Sequence, residues 1–259
     1  MRSLAARFAR LARALGVAGA RCPVCSALTP AGENPLCPTC AQALRPRLGG
    51  CCARCGDMFG DQTDDTVDPL AEPATVCAEC RLDPPPWDRL HFHGPYSAAL
   101  RDLIIDFKFH GGLHRTRLLV SLAAEAYRRG TAAVAPDMAL PDLIVPVPLH
   151  PRRVRERGYN QSLELARGLG RALGRPVAAN ALGRVRHTAP QSSLDMAQRR
   201  ENIRDAFVAA EMVRGKALLL VDDVYTTGAT LTECARTLRR AGAAGMDALV
   251  LARAGREPR

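Results

Sequence analysis

The stretch from Ala217 to Thr230 reads A-L-L-L-V-D-D-V-Y-T-T-G-A-T, and the interpretation of the whole chain starts from it. Its short apolar run ends in two carboxylates, Asp222 and Asp223. An apolar run of this length, bounded by polar and glycine residues, is typical of a strand buried on both faces of a parallel sheet. Residues 231–238 then place apolar side chains on one helical face. The stretch predicts a strand–loop–helix unit whose polar residues lie at the carboxyl end of the strand, where open α/β sheets bind ligands.

The loop of this unit has the chemistry of a phosphate site. Residues 226–230 offer successive backbone N–H groups and three hydroxyls, and Gly228 lets the backbone approach an anion closely. The N-terminus of the following helix adds roughly half a positive charge. Asp222 and Asp223 are acceptors suited to two vicinal sugar hydroxyls. Phosphate and diol together predict a phosphorylated sugar as the ligand. A Walker-B-like acidic pair is the alternative, but the chain has no G-x-x-x-x-G-K-[ST] loop.

The composition indicates a globular protein with anionic partners. The chain has 259 residues, is 47% hydrophobic and carries a net charge of +10. This length accommodates one large domain or one domain with a small module. The positive charge favours phosphate substrates or nucleic acid. No apolar run approaches the ~18 residues that a membrane helix needs, so we expect no membrane span.

The first 20 residues predict an N-terminal amphipathic helix. Their apolar side chains recur at helical spacing, and four arginines interrupt the apolar runs. The segment therefore lacks the apolar core of a signal peptide, and we expect a cytoplasmic protein. An amphipathic helix of this kind either lies on a membrane, serves as a transit segment or packs against the next module.

Nine of the ten cysteines lie within the first 80 residues, and eight of them form four C-x2-C pairs. Zinc prefers four tetrahedral thiolates, and C-x2-C spacing brings two sulfurs onto one metal. A disulfide framework would require export, and a redox C-x-x-C would be a single pair beside a βαβ unit. The spacing predicts a double zinc ribbon over residues 21–83, with Cys51 a less well-spaced substitute for Cys52. The predicted ligands are Cys22, Cys25, Cys37 and Cys40 in one site and Cys52, Cys55, Cys77 and Cys80 in the other.

A second domain is expected after the three prolines at 84–86, which favour a stiff connector. We assign residues 87–255 to it. Strands are expected at 90–92, 143–148 and 246–253. Helices are expected from Ser97 to near Gly111, at 113–129 and at 160–173. Pro146 and Pro148 cannot donate ladder hydrogen bonds, so the second strand must end there.

Two segments are rich in arginine, one directly after a predicted strand and one between the two strands whose ends would face the phosphate. The first contains Arg152, Arg153, Arg155 and Arg157. Its place after a buried strand favours an anion site over an ordinary basic surface. The second runs from Arg184 to Phe207 and contains few apolar residues. It is either a loop that closes over a substrate or a surface excursion.

Together these motifs resemble the ComF family, which has a double zinc ribbon followed by a phosphoribosyltransferase domain. The resemblance covers nearly the whole chain. In addition to the cysteine pairs, it rests on the segments Ile105–Gly112, Pro146–Gln161, Arg184–Gln191, Arg199–Phe207 and Leu220–Thr230. It implies an α/β protein with a type I phosphoribosyltransferase fold, a mostly parallel sheet flanked by helices, preceded by a small double zinc-ribbon module with four cysteines at each metal.

The resemblance also assigns roles to particular residues. It implies that Asp222 and Asp223 hold the ribose hydroxyls of phosphoribosyl pyrophosphate (PRPP). It places the 5′-phosphate on Thr226, Thr227, Gly228, Ala229 and Thr230. Residues 147–153, including Val147 and Pro148, would form the pyrophosphate loop, and residues 184–202 the catalytic loop. Mg²⁺ would bind to the PRPP oxygens. The arginines that would stabilise the departing pyrophosphate electrostatically are Arg152, Arg153, Arg184 and Arg186.

Two hypotheses of function follow. The first is an enzyme that transfers a phosphoribosyl group and releases pyrophosphate, with an acceptor that the sequence does not identify. The second is a binding protein that holds PRPP or a nucleotide without turnover, while its ribbons contact single-stranded DNA or a DNA-uptake motor. The basic charge fits the second hypothesis, whereas the aromatic content of 4% argues against a base-stacking platform.

Overall fold

The computed structural model describes residues 21–29, 35–59, 75–109, 111–132, 140–186 and 201–255. The predicted helix of residues 1–20 lies outside this part of the chain, and so do residues 187–200 of the second arginine-rich segment. Within the described residues, no helix combines the length and the apolar character that crossing a bilayer demands.

A parallel sheet forms the centre of the structure. Its strand order is β1-β7-β5-β2, and the short β6 pairs with β7. Every pairing in this sheet is parallel, as the apolar, unalternating strands predict. A separate antiparallel pair joins β3 and β4. The strands are β1 Leu90–Pro95, β2 Leu143–Pro146, β3 Leu182–Arg184, β4 Phe207–Ala209, β5 Ala217–Val221, β6 Val224–Tyr225 and β7 Gly245–Arg253.

Both faces of the sheet are covered. Leu218 and Leu220 of β5 belong to a core completed by the C-terminal helix and the β3–β4 pair. Leu219 and Val221 belong to a second core, made with the other long helices. Alternate residues of one strand therefore face different cores, which explains why this strand is a continuous apolar run. The helices are α1 Pro38–Ala43, α2 Ala78–Leu82, α3 Ala98–Phe109, α4 Thr116–Ala132, α5 Pro151–Arg157, α6 Gln161–Leu173 and α7 Ala229–Arg240.

Helix α6 confirms the predicted boundaries. The side chain of Asn160 accepts a hydrogen bond from the N–H of Ser162 and caps the first turn. Gly174 ends the helix in the left-handed conformation, with φ of 65°. Helix α4 differs, because it continues past Gly130 to Ala132. A Cβ atom at position 130 would overlap the ring of His91, so glycine is required there for close packing against β1 and not for helix termination.

The cysteine-rich segment lies against the edge strand β1. In its first half, the N–H of Arg47 donates to the carbonyl of His93 at 2.9 Å. In its second half, the N–H of Leu90 donates to the carbonyl of Ala53 at 3.0 Å. Each half combines a tight knuckle with a one-turn helix, α1 or α2. The backbone of β1 thus provides partners to both halves.

Candidate functional site

A cleft of about 700 Å³ opens at the carboxyl edge of the sheet, within the size range of small-molecule sites. The end of β5, the start of α7 and the segment after β2 form its walls. Most of the residues that the sequence singled out line it. These are Val147, Pro148, Arg153, Arg184, Asp222, Asp223, Thr226, Thr227, Gly228, Ala229 and Thr230.

The loop before α7 contains a tight glycine turn. Gly228 adopts the left-handed conformation with φ of 74°, and α7 begins at the next residue without a side-chain cap. A Cβ atom at position 228 would overlap the hydroxyl of Tyr225, so only glycine fits against that side chain. The first N–H groups of this 12-residue helix therefore face the cleft from a glycine turn.

The backbone after β5 aims both carboxylates into the cleft. The backbone N–H of Asp222 donates to the backbone carbonyl of Leu249 at 3.0 Å. The backbone N–H of Leu251 donates to the backbone carbonyl of Asp223, also at 3.0 Å, so hydrogen bonds with β7 position both residues. Ser162 Oγ donates to Asp222 Oδ1 at 2.8 Å. Burial, and then the neighbouring Asp223 carboxylate, raise the pKa of Asp222 to about 7 against the opposing hydrogen bond from Ser162.

Asp223 is held by a lysine. Lys108 Nζ, at the end of α3, lies 2.9 Å from Asp223 Oδ1. Burial lowers the pKa of Lys108, but the charge and hydrogen bond of Asp223, together with the nearby Asp222 and Tyr96, outweigh burial and raise this pKa, so the ammonium stays charged. The other oxygen, Asp223 Oδ2, is buried and has no hydrogen-bond partner among the described residues. Such an atom marks a position where a ligand hydroxyl would be favourable.

Three arginines add positive charge to the cleft. Arg157 lies with its guanidinium 4.8 Å from the centre of the Phe109 ring and donates to Gln161 Oε1 at 2.7 Å. Burial, with Arg153 nearby, lowers the pKa of Arg157 against the attraction of Asp223. Burial and Arg153 likewise lower the pKa of Arg184. A bound anion would stabilise the charged form of arginines that lie close together and are partly shielded from water.

Two predicted residues lie elsewhere in the described part of the chain. Arg152 is in α5 outside the cleft lining, and its N–H donates to His150 Nδ1 at 3.2 Å. Arg186 also lies outside the lining, where its guanidinium donates to the carbonyls of Asn202 and Arg204. The segment after β2 is a short helix because Pro151 occupies its first position and His150 caps it.

Sequence reasoning missed three residues that shape the site. Lys108, Ser162 and Arg157 were not assigned to it. Lys108 carried a usable signal, since it is one of only two lysines in the chain and lies in the family-like segment 105–112. Arg157 belongs to the arginine cluster that was identified after β2. Ser162 had no signal, because only the fold brings helix α6 to the end of β5.

The cysteines form two separate clusters, each with four Sγ atoms within 4.8 Å of one another. Cys25 and Cys37 are 3.6 Å apart at Sγ, and Cys55 and Cys77 are 3.8 Å apart. A tetrahedral site with Zn–S bonds of ~2.3 Å has sulfur–sulfur edges of about 3.8 Å, so both clusters fit zinc. Cys51 is outside both clusters, which agrees with Cys52 as the predicted ligand.

Comparison with known proteins agrees with this architecture. A family model described as "Phosphoribosyl transferase domain" matches residues 160–259. The chain is 36% identical to DNA utilization protein YhgH of Salmonella typhimurium over 219 residues, which are 84% of this chain and 90% of that protein. It is 34% identical to competence protein F of Haemophilus influenzae over 237 residues, 90% of this chain and 97% of that protein.

A solved structure gives a much weaker match. Glutamine PRPP amidotransferase from B. subtilis is 19% identical, with a TM-score of 0.37, and the match covers 56% of this chain and 30% of that one. A likeness this low carries no argument about function. This chain therefore belongs to the ComF family and has a type I phosphoribosyltransferase fold, as its two relatives, the matched domain model, the parallel sheet and the two four-cysteine clusters together show.

Proposed function

We propose that this protein binds PRPP in the cleft and transfers its phosphoribosyl group to an acceptor, releasing pyrophosphate. One observation carries the proposal. One cleft is lined by three kinds of group: the carboxylates of Asp222 and Asp223, the glycine turn at Gly228, and the cations Lys108, Arg153, Arg157 and Arg184. Acceptors for a diol, N–H donors for a phosphate and cations for a diphosphate are the three groups that PRPP requires.

The carboxylates suit the ribose diol. Asp223 Oδ2 is buried without a partner among the described residues, and a ribose hydroxyl would satisfy it. Asp222 Oδ1 is already engaged by Ser162, so the second hydroxyl would meet its other oxygen. Charge-assisted hydrogen bonds of this kind contribute roughly 1.5–3 kcal/mol each.

The phosphate and the diphosphate would bind to different groups of the cleft. The 5′-phosphate fits the N-terminus of α7, where the turn at Gly228 exposes N–H groups and Thr226, Thr227 and Thr230 add hydroxyls. The diphosphate would pair with the cationic side chains of the cleft, Arg153, Arg184 and Lys108. Mg²⁺ would neutralise the diphosphate oxygens and needs few protein ligands. The protein's own contribution to transfer is electrostatic, because these cations stabilise the charge of the leaving pyrophosphate.

A calorimetric titration with PRPP tests the binding step. We expect wild-type protein to bind and the variant Asp222→Asn/Asp223→Asn to lose affinity by more than about 100-fold, because two charge-assisted hydrogen bonds are removed while shape is kept. Circular dichroism of the variant controls for folding. Unchanged affinity in a folded double variant would place the ribose elsewhere.

A second candidate function is that of an accessory protein in DNA uptake, which binds PRPP or a nucleotide without turnover. The names of the relatives, competence protein F and DNA utilization protein, favour this candidate. Exposed arginines on the cysteine-rich segment, Arg21, Arg45 and Arg81, could contact the backbone of single-stranded DNA. A DNA-uptake motor is the alternative partner, and with either partner the proposed location of this protein is the cytoplasm.

Pyrophosphate release separates the two candidates. A screen of nucleobases and ammonia as acceptors should give pyrophosphate if the protein is a transferase. Tight PRPP binding with no pyrophosphate from any acceptor, together with salt-dependent binding of single-stranded DNA, would favour the accessory role. Either candidate function would use two units of the chain. We propose that these are a double zinc ribbon at residues 21–83 and a transferase-like domain at residues 87–255.

A further inference from the structure

We propose that Arg253 is a positioning residue that holds the phosphate loop in place from the second four-cysteine cluster. Arg253 is the last residue of β7, and only 3% of its surface is exposed. It is not in the cleft lining, and neither the resemblance nor the proposed function gives it a role. Its guanidinium instead connects two parts of the protein that are far apart in sequence, the knuckle at Cys55 and the loop at Thr226.

One side of Arg253 faces the cysteine knuckle. Its Nε donates to the carbonyl of Cys55 at 2.9 Å, and Cys55 is one of the four clustered thiols. A second nitrogen lies 4.0 Å from the carboxylate of Asp57, two residues further on. The guanidinium therefore contacts the backbone of Cys55, a predicted zinc ligand, and the carboxylate of Asp57 in the same turn.

The other side of Arg253 faces the phosphate loop. Its Nη1 donates to the carbonyl of Thr226 at 3.4 Å, and its guanidinium lies 4.6 Å from the centre of the Tyr225 ring. Tyr225 pairs with Arg253 in the β6–β7 ladder, and its hydroxyl lies against Gly228. The position of the turn at Gly228 thus depends on a ring that Arg253 packs upon.

The knuckle itself is fixed to the domain by more than this one arginine. The carbonyls of residues 53–55 accept hydrogen bonds from Leu90 N at 3.0 Å, Trp87 Nε1 at 2.7 Å and Arg253 Nε at 2.9 Å. The Trp87 ring also meets the Tyr225 ring edge-on, with centroids 6.0 Å apart. A knuckle whose geometry is set by the metal would therefore hold both Arg253 and Trp87 against the loop.

The first cluster has no comparable route to the loop among the described residues. Arg115 makes the matching contact there, donating to the carbonyl of Val24 at 3.4 Å and to Asp106 at 3.1 Å. Asp106 belongs to α3 and Val24 to the first knuckle, so neither partner belongs to the loop at residues 225–228. Arg115 is therefore a matched control, since it is an arginine that bridges a knuckle and the domain without touching the phosphate loop.

The test compares Arg253→Lys with Arg115→Lys, both in zinc-loaded full-length protein. Lysine keeps the charge and fits a buried site but lacks the fork that reaches Cys55 and Thr226 together. We expect amide hydrogen exchange in residues 222–231 to rise about tenfold or more in Arg253→Lys and to stay within about twofold in Arg115→Lys. Trp87 is the only tryptophan of the chain, so its fluorescence emission reports on the contact between the second knuckle and Tyr225.

Removal of each cluster completes the test. Cys77→Ser/Cys80→Ser should increase loop exchange and shift Trp87 emission, whereas Cys37→Ser/Cys40→Ser should change neither. Adding Arg253→Lys to the second-cluster variant should produce little further increase, because loss of the cluster already releases the Arg253 contact. Loop exchange that is unchanged in Arg253→Lys, or that rises equally on loss of either cluster, would overturn the proposal.

The consequence for ligand binding rests on the proposed function. Arg253→Lys should weaken PRPP affinity about tenfold, and Arg115→Lys should leave it unchanged. Wild-type protein that binds no PRPP would refute the proposed function alone, since the exchange and emission measurements need no ligand. Ordinary PRPP affinity in Arg253→Lys, despite a loosened loop, would refute the coupling to the site.

Discussion

Lys108 Nζ lies 2.9 Å from Asp223 Oδ1, so a lysine at the end of α3 neutralises one of the two carboxylates of the cleft. Both side chains are largely buried, with 19% and 5% of their surfaces exposed. Removing one partner of a buried ion pair leaves the other charge uncompensated. The pair therefore places an ammonium group inside the cleft, directly beside one of its two carboxylates.

Replacing the lysine tests this relationship. We expect Lys108→Met to lower the free energy of unfolding by about 3 kcal/mol and to weaken PRPP binding. The matched control is Lys216→Met, since Lys216 is exposed and is the only other lysine. It should change stability by no more than about 0.5 kcal/mol. Denaturant unfolding of both variants measures the difference, and equal stabilities would show that the ion pair contributes nothing.

The pKa of Asp222 predicts how the protein responds to pH. Folding raises this pKa to about 7 through burial and the Asp223 charge. Because folding raises the pKa of this acid, the protonated carboxyl group stabilises the folded state. This contribution to the free energy of unfolding is fully present below about pH 4 and is lost as the pH rises through about 7. Denaturant unfolding between pH 5 and 8 should show this loss, and Asp222→Asn should remove that part of the slope.

Ligand binding should show the opposite trend. A diol hydroxyl bonds most strongly to ionised Asp222, so PRPP affinity should rise between pH 6 and 8. The ligand's own phosphate, with a pKa near ~6, contributes equally to wild type and variant. The difference between wild type and Asp222→Asn therefore isolates Asp222. Parallel pH profiles of affinity in the two proteins would contradict this prediction.

Metal content is the next prediction. Two clusters whose sulfur distances suit tetrahedral zinc should hold two Zn²⁺ per chain. Structural zinc supplies folding free energy to small modules, so a chelator should unfold the cysteine-rich segment and leave the sheet domain folded. Elemental analysis of reduced protein and circular dichroism before and after chelation measure both effects. Zinc-free protein with an ordered cysteine segment would contradict the assignment.

Arg184 and Arg186 should have different roles although they are two residues apart. Arg184 lines the cleft, with its guanidinium 5.5 Å from the centre of the Phe207 ring. Arg186 instead binds the carbonyls of Asn202 and Arg204 and so joins the two described ends of the arginine-rich segment. Arg184→Ala should therefore weaken PRPP binding. If the arginine-rich segment closes over a substrate and is not a surface excursion, Arg186→Ala should reduce pyrophosphate release far more than PRPP affinity, because the lost contact would belong to the transition state.

Kinetics and calorimetry on the same preparations decide this comparison. A transferase should lose kcat in both variants, because Arg184 would stabilise the leaving pyrophosphate, but PRPP affinity should fall strongly only in Arg184→Ala. If Arg186→Ala changes only PRPP affinity and no acceptor releases pyrophosphate, the protein is better described as a binding module. Arg152→Ala serves as a comparison from outside the cleft lining of the described residues.

The sequence by itself determined the parts whose signals are local. An apolar run that ends in Asp222 and Asp223 and continues into T-T-G-A-T determines a buried strand, a glycine turn and a helix start, because each depends on neighbouring residues. The C-x2-C pairs likewise determine which cysteines cluster, with Cys52 preferred to Cys51. The ends of α6 at Asn160 and Gly174 follow from capping alone.

Only the tertiary structure decided which distant side chains meet these local units. Ser162 reaches Asp222 across 60 positions, and Arg253 reaches Cys55 across 198. The sequence pattern predicts a helix stop at Gly130, whereas the approach of His91 is what requires glycine there. Contacts of this kind depend on how β1, β5 and β7 align in the sheet and on how the helices pack over them. That arrangement is set by burial summed over the whole core, which no single stretch of sequence encodes.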